Sequence, residues 1–259
     1  MITEMQAETV LLCDPTRWAA AVERIAALDR SMEQKRKPAY VRTESGTAII
    51  DAPGVLYAGA EDWMEEYGVQ CPHRLISRVA QAQDDEEVSK VIVNWDSPGG
   101  SVTGIDECAH ELAEMNASGK PIISYTGSLM ASAAYYIAAG SQMIVANRSA
   151  SVGSIGVYTA HIDATSMFDR MGLAIEVFRS GKLKGAGAYN TALTKEQREM
   201  IQSQIDQLAD QFKSFVTTYR PLVNPDAMQG QVFIGQSAAD ASVVDHLVVG
   251  LNQLTQEMQ

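Results

Sequence analysis

The feature that most constrains this chain is a pattern that recurs along its middle: a short apolar run, a tight glycine-bearing turn, then apolar residues at helical spacing. In the clearest instance Val91 to Trp95 runs into Asp96-Ser97-Pro98-Gly99-Gly100. Ile105, Cys108, Ala109 and Leu112 then mark one face of a helix that stops near Gly119. A second cycle predicts strand over 121–124, helix over 131–139 with Gly140 behind it, and strand over 143–146. A third predicts strand over 154–160, helix over 164–171 ending at Gly172, and strand over 174–178. Strands separated by helices pair in parallel, because a parallel neighbour needs a long crossover that a hairpin cannot supply. The pattern therefore predicts an α/β core with largely parallel strands.

Around this core the spacing predicts three further parts. Residues 1–40 read as an appended helix and linker: Trp18, Val22, Ile25 and Leu28 fall at helical spacing and the basic stretch Lys35-Arg36-Lys37-Pro38 follows. The core domain runs over 46–250, opening with the apolar run Ala48 to Ile50 and a helical segment around Leu75 to Ala82. Near its end, Thr194 and Gln197 form a capping box that opens a long helix carrying Ile201, Ile205, Leu208, Phe212, Phe215 and Tyr219. That stripe suits packing on its own domain, and its heptad-like regularity also suits a subunit contact. Residues 251–259 read as a C-terminal tail.

Composition excludes several functions. With 259 residues and 46% hydrophobic content the chain can bury a full core. A formal net charge of −12 argues against an electrostatic grip on nucleic acid or an anionic membrane. The most apolar stretch, 129–139, is too short to cross a bilayer. The first residues lack the basic and apolar regions of a secretory signal, so a cytoplasmic location is expected. Cys13, Cys71 and Cys108 are an odd, widely separated set without metal-ligand spacing, which predicts reduced thiols and no metal or cofactor.

Two of the glycine-bearing turns are candidates for chemistry. Each lies between an apolar strand and a helix, where backbone N–H groups lack intrahelical partners and can hold a developing oxyanion. Gly99 and Gly100 remove side chains so that a substrate carbonyl can approach the backbone. Ser132 opens the next helix, so its hydroxyl and the amide of Ala133 face one point. Taken singly, the first is an ordinary turn and the second an ordinary helix cap. A serine needs a base. His73, His110, His161 and His246 have no motif around them, and no serine sits in a Gly-x-Ser-x-Gly elbow. A lysine serves instead where burial or a nearby positive charge keeps it neutral. Lys182 and Lys184 are both available in the glycine-rich loop after the predicted strand ending at Phe178.

At these residues the chain resembles the S49 peptidases, the signal peptide peptidase A group and its phage relatives. The matching segments are Asp96 to Gly100 (DSPGG), Met130 to Tyr136 (MASAAYY), Val152 to Gly156 (VGSIG) and Ser180 to Lys184 (SGKLK), in the family's order. The resemblance implies the crotonase or Clp type of fold, a superhelix of repeated ββα units, and a ring or other homo-oligomer. It implies Ser132 as nucleophile and Lys184, rather than Lys182, as base, with oxyanion amides from Gly99 or Gly100 and from Ala133. It also leaves Ser154 placed to orient Lys184. Gly185 stands where many cellular members have Asp, and Ala133-Ala134 replaces a common Gly-Gly; both loosen inference about substrate preference. Within the family the chain looks most similar to the phage prohead proteases, which implies scaffold and capsid-associated proteins as substrates in the host cytoplasm. A cellular enzyme degrading signal peptides is the nearest alternative and shares the chemistry. A crotonase-type acyl-CoA enzyme and a non-catalytic shell or scaffold component remain further alternatives.

Overall fold

The computed structural model describes residues 10–12, 15–26, 38–188 and 191–258. The first described strand, β1 (Val10–Leu12), and helix α1 (Pro15–Ala26) precede a short hairpin, β2 (Val41–Arg42) and β3 (Thr47–Pro53). From there a related unit recurs, a strand then a helix, with one or two short strands between them except in the third instance. β3 is followed by β4 (Val55–Leu56), β5 (Val69–Gln70) and α2 (Pro72–Asp84). β6 (Lys90–Ser97) is followed by β7 (Gly100–Ser101) and α3 (Ile105–Ser118). β8 (Ile122–Ala131) leads into α4 (Ala133–Ala138) and β9 (Met143–Asn147). β10 (Ser151–Gly153) leads into β11 (Tyr158–Thr159) and α5 (Thr165–Arg170). The long α6 (Lys195–Tyr219), then β12 (Val232–Ile234), α7 (Gln236–Asp240), β13 (His246–Val248) and α8 (Leu251–Glu257) follow.

The first strand of each unit joins one sheet, ordered β12-β10-β8-β6-β3-β2. Its strands are parallel from β10 to β3, as crossover connections require, and antiparallel only at the flanking β12 and β2. β9 pairs with the first half of β8, and β13 with β9. The short strands gather into a second sheet, β11-β1-β7-β4-β5. Alternating between two sheets through repeated ββα units is the crotonase and Clp type of architecture expected from the resemblance.

The core lies between the larger sheet and helices α2, α3 and α4. β6 reads as a near-continuous apolar run because Val91, Ile92, Val93 and Trp95 are all buried, the mark of a central parallel strand covered on both faces. Trp95 keeps its indole N–H satisfied by donating to Ser124 Oγ at 3.0 Å. The alanines of α4 let it sit deep against α3, and every residue of α4 is buried.

Four expectations need correction. The first helix is no appendage: it starts at Pro15, where a missing N–H is harmless, and buries Trp18, Ala21, Val22 and Ile25 against Val55, Tyr57, Met64 and Val69. Trp18 meets Tyr57 edge to face at 5.8 Å. Burying each of its large apolar side chains is worth roughly 1.5–3 kcal/mol, so α1 belongs to the folded body. Leu28 and residues 35–37 of the expected helix and linker lie outside the described residues. Residues 251–257 are not a tail but helix α8, whose Leu254 is buried with Ile92, Ile123 and Val145. The strand expected over 154–160 is interrupted, because Ser154 takes φ 53° and carries the chain from one sheet to the other. Residues 174–178 form no strand and are exposed, with Ile175, Val177 and Phe178 facing solvent.

Candidate active site

β8 ends at Ala131, and Ser132 turns the chain into α4 at φ 55° and ψ −117°. A positive φ at a side-chain-bearing residue costs of order 1–3 kcal/mol and persists only where neighbours enforce it. Here they do. Ser132 N–H donates to Gly153 O at 2.8 Å, and Ser132 O accepts from Tyr136 N–H at 2.8 Å. Tyr136 stacks on Phe212 of α6, with ring centroids 4.3 Å apart and planes 3° from parallel, and donates to Asp106 Oδ1 at 2.5 Å. Tyr135 donates to Val243 O at 3.0 Å. Burial, with Asp106 as acceptor, pushes the Tyr136 phenol well above its ordinary pKa, so it remains a donor. Ser132 is only 2% exposed, and its hydroxyl makes no capping bond to α4. The serine thus stands at the N-cap position of α4 without using its hydroxyl as a cap.

Three neighbouring parallel strands deliver their next residues to one place. Gly153 of β10 pairs with Ala131 of β8, so Ser154 and Ser132 leave adjacent strands at the same level, both at positive φ. Ser97 of β6 pairs with Met130 of β8, so the glycine turn emerges on the other side of Ser132. Pro98, Ser132, Ser154, Ile155 and Gly156 share the wall of a cleft of about 680 Å³. It opens at the carboxyl ends of the strands, where open α/β sheets bind their ligands.

In the glycine turn, Gly99 has φ 97°, its carbonyl accepts from Leu56 N–H at 2.8 Å, and its amide donates to Ser97 Oγ at 3.2 Å. An oxyanion at Gly99 would exchange with that hydroxyl. At Gly100 a Cβ would lie 1.8 Å from Leu56 O, so only glycine fits where β7 pairs with β4. Ala133, the first residue of α4, is fully buried behind Ser132.

The lysines are arranged otherwise. Lys184 and Lys182 are exposed in the turns that follow Phe178, and neither lines the Ser132 cleft. The lysine on its wall is Lys213 of α6, half-buried, together with Asp206 of α6 and Arg17 of α1. Sequence reasoning passed over these groups. The signal was present for Lys213, which continues the face of Ile205 and Ala209 at steps of four.

None of the four histidines lines the cleft. His73 contacts Cys108 Sγ at 3.4 Å, His110 Nδ1 lies 2.9 Å from Asp106 O, His161 Nε2 lies 2.8 Å from Thr191 O, and His246 is exposed on β13. Cys71 and Cys108 are free and buried, and burial pushes the Cys108 thiol up to about 12. Cys13 lies outside the described residues. Among the described residues no helix is long and apolar enough to cross a membrane.

A buried, strained serine at a strand-to-helix turn, beside a glycine turn and inside a deep cleft, defines the class: an α/β protein with a candidate hydrolytic site built on serine. The family model for peptidase family S49 matches residues 114–259, more than half of the chain, and the chain belongs to that family. Capsid assembly protease C of Escherichia phage lambda is 27% identical over 88% of this chain and 52% of that protein. The head-tail preconnector protein GP5 of Enterobacteria phage P21 is 28% identical over 86% of this chain and 45% of that protein. The chain thus spans about half the length of these two relatives. Among solved structures, an enoyl-CoA hydratase/isomerase family member aligns at 11% identity and TM-score 0.48, covering 85% of this chain and 75% of its own.

Proposed function

We propose that this chain is a serine endopeptidase in which Ser132 attacks the scissile carbonyl, Lys184 takes its proton, and amides of the Gly99–Gly100 turn and of Ala133 hold the oxyanion. The observation that carries this reading is Ser132 itself: strained, almost fully buried, its hydroxyl making no capping bond, and on the wall of the cleft. Ser154, beside it at the same strand level, is the group we assign to orienting the lysine. The substrates we propose are scaffold and capsid-associated proteins of a phage head, on the strength of the likeness to capsid assembly protease C.

Lys184 stands outside the cleft of its own chain, so the dyad needs it brought in. We infer that a neighbouring copy does this in a homo-oligomer. The exposed run before it carries Met171, Leu173, Ile175, Val177 and Phe178, with Phe178 91% exposed. A contiguous apolar strip of this kind is the mark of a contact surface. Covering it would also desolvate a lysine at its end, the condition under which an amine acts as a base.

The test is intact-mass analysis of candidate scaffold and capsid proteins incubated with wild type, Ser132→Ala, Lys184→Ala and Lys213→Ala. Ser132→Ala and Lys184→Ala are expected to lose at least about 10³-fold in rate, as removal of a nucleophile or its base does, with Lys213→Ala losing less than about tenfold. Abolition by Lys213→Ala with Lys184→Ala active would transfer the base to α6. Equal cutting by all four would exclude Ser132.

A further inference from the structure

The second sheet contains a strand that the repeated ββα units do not supply. β1 lies between β7 and β11 and runs antiparallel to both. Leu12 faces Gly100 and Leu11 faces Ser101 on one side, while Leu11 faces Tyr158 and Val10 faces Thr159 on the other. Both partners belong to the site. β7 begins at the second glycine of the turn assigned to the oxyanion, and Tyr158 lines the cleft with Ser132. Adjacent strands stand about 4.8 Å apart, so two strands flanking a third define a slot for one extended chain, with main-chain hydrogen bonds available on each side. A protease that binds its substrate as an added strand uses such a slot, because ladder bonds hold the peptide without demanding a sequence.

The occupant's direction matters too. Going from Val10 to Leu12, β1 advances towards Gly100 and the glycine turn. The chain then enters α1, whose Arg17 lines the Ser132 cleft and whose Trp18, Val22 and Ile25 are anchored against the second sheet. The segment is thus held on one side by a docked helix and laid along the path that leads to the serine.

We infer that residues 10–12 are an intramolecular occupant of the substrate's strand position, so that an extended peptide gains the cleft only by displacing β1. The inference rests on the peptidase reading for the meaning of the slot, but occupancy is measurable without turnover. In a Ser132→Ala background, binding of a fluorescein-labelled synthetic peptide with the sequence of residues 6–14 is followed by polarisation. The full chain is compared with Leu11→Pro, which removes an N–H from the ladder, and with a chain lacking residues 1–12. Urea melts confirm that both remain folded through α1. Both variants are expected to bind the probe at least about tenfold more tightly, since the apparent affinity rises as the open slot becomes populated. Unchanged or weaker binding in both would overturn the inference. If Leu11→Pro alone fails to fold, the truncated chain decides. The same two changes made with Ser132 intact separate the two readings: tighter binding without cleavage leaves the occupant in place and removes the peptidase assignment.

Discussion

At the scale of single residues, the backbone dictates the two turns that build the candidate site. A methyl group at Gly100 would lie 1.8 Å from Leu56 O, a backbone atom that cannot swing away. Gly100→Ala is therefore expected to cost at least the upper end of the roughly 1–3 kcal/mol seen for overpacking, measured as a shift of the urea midpoint. Gly172→Ala is the control: its φ is 70° but nothing lies within 4 Å of an added Cβ, so it should lose only the roughly 1–2 kcal/mol of a left-handed alanine. The turns at Gly99–Gly100 and at Ser132 were legible in the sequence because turn chemistry is local: an apolar run followed by small residues and a helical pattern is enough to expect a strand-to-helix turn. The strained φ of Ser154 was not legible, because Gln231, 77 positions on, supplies the carbonyl 2.6 Å from its amide. Cys108 gives a test of core integrity. Its folded pKa is raised to about 12 by burial, above the ordinary thiol value. Above that ordinary value the unfolded chain releases the proton and the folded one keeps it, so this thiol makes stability fall as pH rises from about 8.5 towards 12. Below pH 8 it contributes no pH dependence. Native-state alkylation at pH 8 should leave Cys108 unmodified, while urea-unfolded protein reacts fully.

Between elements, the serine turn is held by α6. Tyr136 of α4 lies flat on Phe212, and Phe215 packs beside it with ring centroids 5.1 Å apart. Phe212→Ala should cost about 3–5 kcal/mol through the cavity and lost transfer energy. It should also lower turnover, since Tyr136 and Ser132 share a backbone hydrogen bond. Phe212→Leu keeps most of the volume and is expected to recover stability while losing the stacked pair. A urea melt and a peptidase assay on the two variants check both halves. The capping box that starts α6 was plain in the sequence and is present, with Gln197 N–H donating to Thr194 Oγ1 at 3.2 Å and Thr194 N–H to Gln197 Oε1 at 3.0 Å. What the helix would touch was not plain: its stripe divides into Phe212 and Phe215, which are buried, Ile201, Ile205 and Leu208, which are only half-buried, and Tyr219, which is exposed. Periodicity gives the apolar face of a helix; the partner of each turn comes from tertiary packing.

At the scale of the whole molecule, the segment between α5 and α6 is where sequence pattern and single-chain structure part. Residues 174–178 are apolar at every position but Glu176 and look like a strand, yet they have no strand partner among the described residues and expose Phe178. In the proposed assembly a neighbouring copy covers this strip, and one chain's periodicity carries no record of such a partner. If copies cover this strip and carry Lys184 into one another's cleft, Phe178→Asp should lower the molar mass in light scattering and reduce activity together, while leaving the urea midpoint of the subunit nearly unchanged. The sharper experiment mixes two inactive proteins. Ser132→Ala copies retain the lysine, and Lys184→Ala copies retain the serine. In a head-to-tail assembly that exchanges subunits freely, a site between two copies receives both intact groups in about one case in four. Co-expressed or co-refolded mixtures should then recover about a quarter of the wild-type rate, although each parent is inactive. A dyad completed within one chain, by movement of the segment carrying Lys184, would leave every mixture as inactive as its parents. Activity in the mixture and silence in the parents can arise only if the serine and the lysine belong to different copies.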